Sequence, residues 1–168
     1  SSESSDKPVI ASEESKTRKF RFGLMGHVSR INSLDSNYFN YNREFTSRGA
    51  NISLAYFPMK EMGISLYTGF SALSGRYVED ASANYLGLDM EIVPLRIALF
   101  GLEDFIKISG LIGGVTNYHW DTSRALIGAK VGVQFGPRVE LAAGVKTNLT
   151  DRKTYKETML DAGIQFHF

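Results

Sequence analysis

The feature of this sequence that most constrains its fold is an alternation of apolar and polar side chains, which runs from residue 19 to the C-terminal residue. In residues 62–71, one face carries Met62, Ile64, Leu66, Thr68 and Phe70, and the other carries Gly63, Ser65, Tyr67, Gly69 and Ser71. A period of two places every second side chain on the same face of a β-strand. Eight segments show this pattern, near residues 19–28, 49–56, 62–71, 85–92, 106–109, 127–135, 138–148 and 155–168. The sequence therefore predicts an all-β protein with eight strands.

Length and composition exclude several other classes of protein. At 168 residues the chain has the size of one domain. It has no cysteine for a disulfide or thiolate metal site, and its three scattered histidines do not suggest a zinc site. A formal charge of +1 without a basic cluster argues against a nucleic-acid partner. The longest mostly apolar run, residues 92–102, is interrupted by Arg96 and is too short for a membrane-spanning helix.

The first 17 residues differ from the rest of the chain. They are rich in Ser, Glu and Lys and have little apolar surface to bury, so we expect a flexible tail over 1–17 and a barrel domain over 18–168. The chain begins at Ser1 without a signal-peptide apolar stretch, and we interpret it as a mature or trimmed chain.

Alternation alone does not show which face of the sheet points inward. A soluble, lipocalin-like carrier would enclose its apolar set, whereas a membrane barrel turns that set towards lipid. The polar set favours the membrane barrel because many of its members are Gly or Ser, which suit a narrow interior better than a solvated surface. Its charges also balance, as a closed interior requires: Lys19, Arg21, Lys107, Lys130 and Lys146 against Asp89, Glu91, Glu140, Glu157 and Asp161.

The predicted connections between strands also favour the membrane barrel. They alternate between longer (29–45, 74–83, 117–123 and about 149–153) and shorter (58–61, 101–104 and 136–137) segments. Long extracellular loops alternating with short periplasmic turns are typical of outer-membrane barrels. Pro94 interrupts a strand that would otherwise be too long, and we expect a bulge or bend there, at the periplasmic rim.

The C-terminal residues point to a family. Leu160, Ala162, Ile164, Phe166 and Phe168 alternate up to a terminal phenylalanine. This segment resembles the C-terminal signal of outer-membrane barrels, with Phe166 and Phe168 as the residues that the barrel-assembly machinery would read. Residues 18–168 resemble the small eight-stranded class that includes the OmpA membrane domain and OmpX.

The resemblance implies an eight-stranded antiparallel up-and-down transmembrane β-barrel in a bacterial outer membrane. Both chain termini would be periplasmic, and outer-membrane lipid and lipopolysaccharide would surround the barrel. An eight-stranded barrel is just wide enough for side chains to fill it. We therefore expect the ten charged residues above to form an ion-pair network that plugs the interior, and we do not expect a porin or a cofactor.

Predicted loop 29–45 is the main candidate for contact with a partner. It carries Tyr38, Phe39 and Tyr41 among small polar residues, a composition found at protein-binding surfaces. The alternative is that these rings fold down onto the barrel rim or into the lipid headgroups. The first interpretation predicts a structural or adhesive surface protein with a protein partner on the cell surface.

A lipid-modifying enzyme is the alternative function. His119, Asp121 and Ser123 supply a histidine, a carboxylate and a hydroxyl on one predicted loop, and His27 would lie near Asp80 and Ser82. A nucleophile and its base need hydrogen-bond contact and an orienting third group, which proximity in sequence does not provide. We therefore expect no enzymatic activity.

Overall fold

The computed structural model describes residues 19–33, 43–75, 78–117, 122–149 and 155–168. They form the strands β1 (Phe20–Ser33), β2 (Arg43–Met59), β3 (Met62–Gly75), β4 (Val78–Leu99), β5 (Leu102–Asn117), β6 (Thr122–Gln134), β7 (Val139–Asn148) and β8 (Tyr155–His167). Each strand pairs antiparallel with the next, and β8 pairs with β1, so the sheet closes into a barrel. The predicted fold class is confirmed. The predicted tail, residues 1–17, lies outside the described residues.

The up-and-down order separates the connections into two groups. We call the end of the barrel that holds the start of β1 and the end of β8 the lower end, and the opposite end the upper end. The lower connections are residues 60–61, 100–101 and 135–138, and the upper connections are 34–42, 76–77, 118–121 and 149–154. Within the described ranges, no helix is long and apolar enough to cross a membrane.

Two of the predicted loops are wrong in their boundaries. β1 and β2 remain paired as far as Ser33 and Arg43, so residues 34–42, and not 29–45, connect them. β3 and β4 remain paired as far as Gly75 and Val78, so only residues 76–77 connect them. Beyond Val28 the sequence of β1 is mostly polar, so the apolar alternation stops although the backbone pairing continues.

The barrel is apolar outside and polar inside. Among the described residues, thirty large apolar side chains are exposed, whereas the buried side chains comprise sixteen polar or charged and nine apolar ones. Leu54, Leu66 and Leu88 are directly paired on three neighbouring strands and are each about half exposed. A continuous apolar surface of this extent marks contact with a membrane or another apolar phase. The face assignment predicted for the membrane barrel is therefore the observed one.

The stagger of the strands determines which interior side chains meet. If the directly paired residues are traced from Met25 through β2, β3 and β4, they lead to Asn117 of β5. If they are traced in the other direction, through β8, β7 and β6, they lead to Lys107 of the same strand, ten residues earlier. A stagger of this kind accompanies strands that are tilted against the barrel axis. Residues of similar height in the barrel are therefore not direct partners in the pairing.

Interior glycines make room for side chains of neighbouring strands. A Cβ at Gly87 would lie 2.0 Å from the Tyr67 ring, and one at Gly132 would lie 2.0 Å from a Glu140 carboxylate oxygen. At Gly163 a Cβ would lie 1.9 Å from the Leu24 backbone carbonyl oxygen. The glycines of the polar set thus allow bulky interior side chains to lie across the adjacent strand.

The β4–β5 hairpin extends the sheet at the lower end. The pairing register shifts between Ile92 and Leu95, so a bulge is present at Pro94 as the sequence predicts. The hairpin turns through two residues with positive φ, Phe100 at 54° and Gly101 at 77°. A two-residue turn of this kind follows the right-handed twist of the flanking strands.

Candidate functional site in the barrel interior

The lower half of the interior contains a three-residue ion cluster. Arg21 of β1 donates from Nη1 to Glu91 Oε2 over 2.7 Å and from Nη2 to Oε1 over 3.3 Å. Lys130 of β6 binds the same Glu91 carboxylate from the other side of the barrel. The side chains of all three are at most 7% exposed. We call Arg21, Glu91 and Lys130 the lower cluster; its single carboxylate serves two buried cations.

A second carboxylate with two partners lies nearer the lower end. Glu140 of β7 has only 1% of its side chain exposed. Lys107 Nζ is 2.6 Å from Glu140 Oε2, and His167 Nε2 is 2.9 Å from the same oxygen. Glu140, which lies on β7, therefore links β5 and β8 through its side-chain contacts with Lys107 and His167.

Two further ion pairs lie in the upper half. Lys146 binds Asp89, and its ammonium nitrogen lies 4.5 Å from the centre of the Tyr67 ring. Arg124 donates from Nε to Glu157 Oε2 over 2.6 Å and from Nη2 to Glu157 Oε1 over 3.0 Å. A two-point arginine–carboxylate contact of this geometry fixes orientation as well as charge.

The structure corrects two members of the predicted interior set. Lys19 precedes β1 and is exposed, so it does not belong to the buried interior. Asp161 points inward but forms no ion pair among the described residues, and its Oδ1 is buried without a hydrogen-bond partner. Arg124, which the sequence pattern did not identify, pairs with Glu157 and brings the interior back to five basic groups. Arg124 and Lys130 both have even numbers and therefore face the same side of β6, but the predicted strand pattern begins only at residue 127.

Three unpartnered polar groups lie on β1 and β8, in the upper half. Neither ring nitrogen of His27 forms a hydrogen bond within the described structure, although the Phe70 carbonyl lies near the ring. The Ser29 hydroxyl also has no partner there. His27 is directly paired with Asp161 across the two strands. His27 is 5% exposed and Ser29 is 1% exposed, so both are enclosed by protein.

Two separate cavities occupy the interior. The upper cavity has a volume of about 500 Å³ and extends from the lower cluster to the upper strand ends, where Ile31 and Asn117 border it. The lower cavity has a volume of about 460 Å³ and is bordered by residues such as Phe57, Lys107 and His167. The two cavities share no lining residue.

Several predicted site residues are not part of this interior. Tyr38, Phe39 and Tyr41, and likewise His119 and Asp121, lie outside the described residues. Ser123 also borders the upper cavity, but it is exposed and donates to Thr116 Oγ1 over 3.1 Å. The suggested contact of His27 with Ser82 is wrong, because Ser82 is exposed on the outer face of β4. Across the described ranges, no three His, Asp or Glu residues are grouped so that they hold a metal ion.

The C-terminal phenylalanines lie on the outer face, where the barrel closes. Phe166 is 38% exposed and Phe168 is 56% exposed. Phe168 and Phe20 exchange two backbone hydrogen bonds, of 2.9 and 3.1 Å, and their rings stack with centres 6.3 Å apart. These contacts join the last residue of the chain to the first strand.

Known structures share this architecture. Ail, the attachment invasion locus protein of Yersinia pestis, matches with a TM-score of 0.56 at 15% sequence identity, over 90% of this chain and 100% of Ail. Neisserial surface protein A matches with a TM-score of 0.56 at 13% identity, over 89% of this chain and 97% of that protein. No protein-family model matches the sequence, and no curated protein matches it. The similarities show the fold, and the predicted resemblance to small eight-stranded outer-membrane barrels is confirmed at that level.

Proposed function

We propose that this chain, which has the fold of small outer-membrane β-barrels, is a surface-interaction protein of the bacterial outer membrane. In this proposal the lower end faces the periplasm, the upper connections face the outside, and lipid and lipopolysaccharide surround the apolar face. The barrel acts as a closed, rigid support and not as a porin. The phenylalanines at 166 and 168 present the signal that the assembly machinery reads.

One observation carries the proposal: the lower cluster joins three strands across the interior. Glu91 on β4 holds Arg21 from β1 and Lys130 from β6 at the same time. Gln165 of β8 accepts a further hydrogen bond from Lys130 over 3.5 Å. These side chains border the upper cavity, which shares no lining residue with the lower one, and they support a barrel without a continuous water path. If the barrel conducts no solutes, its function does not lie in transport. The upper connections are then the surface through which it contacts partners.

A catalytic role has less support. The hydroxyl of Ser29 and the nitrogens of His27 are not hydrogen-bonded to each other. Among the described residues, the serine therefore has no base to activate it. We therefore propose a binding role and no enzymatic activity.

The test of the surface role is to replace residues 34–42 with a short Gly-Ser turn. We expect the variant to fold with the same heat-dependent gel migration, because β1 and β2 pair without this segment. We expect it to lose binding to cultured epithelial cells and to immobilised extracellular-matrix proteins when presented in liposomes. The matched control keeps the length of the segment and replaces Tyr38, Phe39 and Tyr41 with serine; it should lose binding to the same extent.

Two outcomes would contradict this role. If the shortened barrel fails to fold while the serine variant folds and binds, the segment is a structural cap. If the wild-type protein binds no cell or matrix protein in these assays, the upper connections have no adhesive function.

A further inference from the structure

We propose that the upper cavity is a binding site for a neutral, polyhydroxylated small molecule of the size of a monosaccharide or disaccharide. The site is enclosed by the barrel wall, is lined by strand residues, and does not depend on the adhesive role. Its volume of about 500 Å³ falls within the roughly 300–1,000 Å³ of known ligand pockets.

The unpartnered groups define the polarity that a ligand needs. Asp161 Oδ1 can only accept a hydrogen bond, whereas the Ser29 hydroxyl and the His27 imidazole can each donate and accept. Buried groups of these kinds are costly to leave without hydrogen bonds. A ligand that satisfies all three must carry both donors and acceptors, which is the property of a molecule with several hydroxyl groups.

The two walls of the cavity differ in polarity. On β1, β2 and β3 the lining includes the hydroxyls of Ser29, Ser47, Ser65 and Ser71, each at most 9% exposed. On β5 the lining is apolar at Leu111 and Val115, and the polar Asn117 follows at the upper rim. A sugar ring fits this contrast, because its hydroxyls bind a polar wall while its C–H face packs against an apolar one.

The charge of the lining favours a neutral ligand. Four cations, from Arg21, Arg124, Lys130 and Lys146, oppose four carboxylates, from Asp89, Glu91, Glu157 and Asp161. Each cation is already ion-paired with a carboxylate of this set. An anionic ligand would compete with existing pairs, and a cationic ligand would find only Asp161 available.

Calorimetric titration of the protein in detergent micelles tests the site directly. The neutral probes are glucose, galactose, maltose and myo-inositol, and the charged counterparts are glucosamine and glucuronate. We expect at least one neutral probe to bind with a dissociation constant of about 1 mM or below, and at least tenfold more tightly than either charged counterpart. No binding by any neutral probe, or tighter binding of a charged one, overturns the proposal.

Two variants locate the binding within the barrel. His27→Phe keeps a ring beside Tyr85, whose own ring centre lies 5.5 Å away, but removes both nitrogens. Ser29→Ala removes one hydroxyl and leaves the backbone unchanged. We expect each to weaken the neutral probe at least tenfold, whereas Thr158→Val, on the exposed outer face, should have no effect. Wild-type affinity in both interior variants would place the binding elsewhere and overturn the assignment.

Discussion

Glu91→Ala is expected to destabilise the barrel by about 3–5 kcal/mol, the typical effect of removing one partner from a buried ion pair. Two cations, Arg21 and Lys130, share this carboxylate and are almost fully buried. Alanine leaves both without a counter-charge. Lys130→Ala should cost less, because Glu91 keeps its two hydrogen bonds to Arg21.

Urea-induced unfolding in detergent micelles, followed by circular dichroism and gel migration, measures these differences. Glu61→Ala is the matched control: Glu61 is an exposed glutamate in the turn between β2 and β3, and its replacement should change stability by no more than about 0.5 kcal/mol. Replacing all three members of the lower cluster with apolar residues of similar volume should recover most of the loss. If Glu91→Ala is as mild as Glu61→Ala, the cluster does not stabilise the barrel.

The second large expected effect is the absence of porin-sized conductance. Reconstituted into planar bilayers, the protein should show at most small, erratic current steps, because an ion must pass between the side chains of Arg21, Glu91 and Lys130. A porin reconstituted under the same conditions provides the positive control. Large, stable and reproducible steps would contradict the closed barrel and, with it, the argument that the function resides at the upper end.

The outward and inward faces could be predicted because apolar and polar residues alternate within each strand. Ser65 is 7% exposed and Leu66 is 51% exposed, as the alternation requires. A register error of one residue would turn every apolar side chain inward. Lipid contact on one face and enclosure by the barrel on the other therefore leave a clear pattern in the sequence.

The strand ends could not be predicted in the same way. Above the apolar belt the outer face also becomes polar: Ser29 points inward and Arg30 lies exposed on the outer face, while β1 continues to Ser33. Apolar residues alternate only where one face of a strand contacts lipid, so the pattern ends where the strand leaves the lipid. Backbone pairing depends only on the neighbouring strand and continues beyond that point. The predicted loop of 29–45 was too long for this reason.

The sequence also could not show which charges pair. The contact between Arg21 and Glu91 joins residues 70 positions apart, and it depends on the stagger around the barrel. Charge balance predicted that partners exist but did not identify them. The misassigned Lys19 and the missed Arg124 both lie near strand ends, where the alternation is weakest.

A membrane barrel requires that its exposed apolar face contact lipid. Because the chain has no cysteine, single-cysteine variants carry one spin label each, and two exposed positions can be compared in liposomes: Leu66 on the apolar face and Glu61 in the lower turn. Electron paramagnetic resonance measures collisions with oxygen, which concentrates in lipid, and with a water-soluble nickel chelate. We expect the label at position 66 to collide mainly with oxygen and the label at position 61 mainly with the nickel chelate. Equal access of the nickel chelate to both positions would show that the apolar face lies in water and would rule out the membrane barrel.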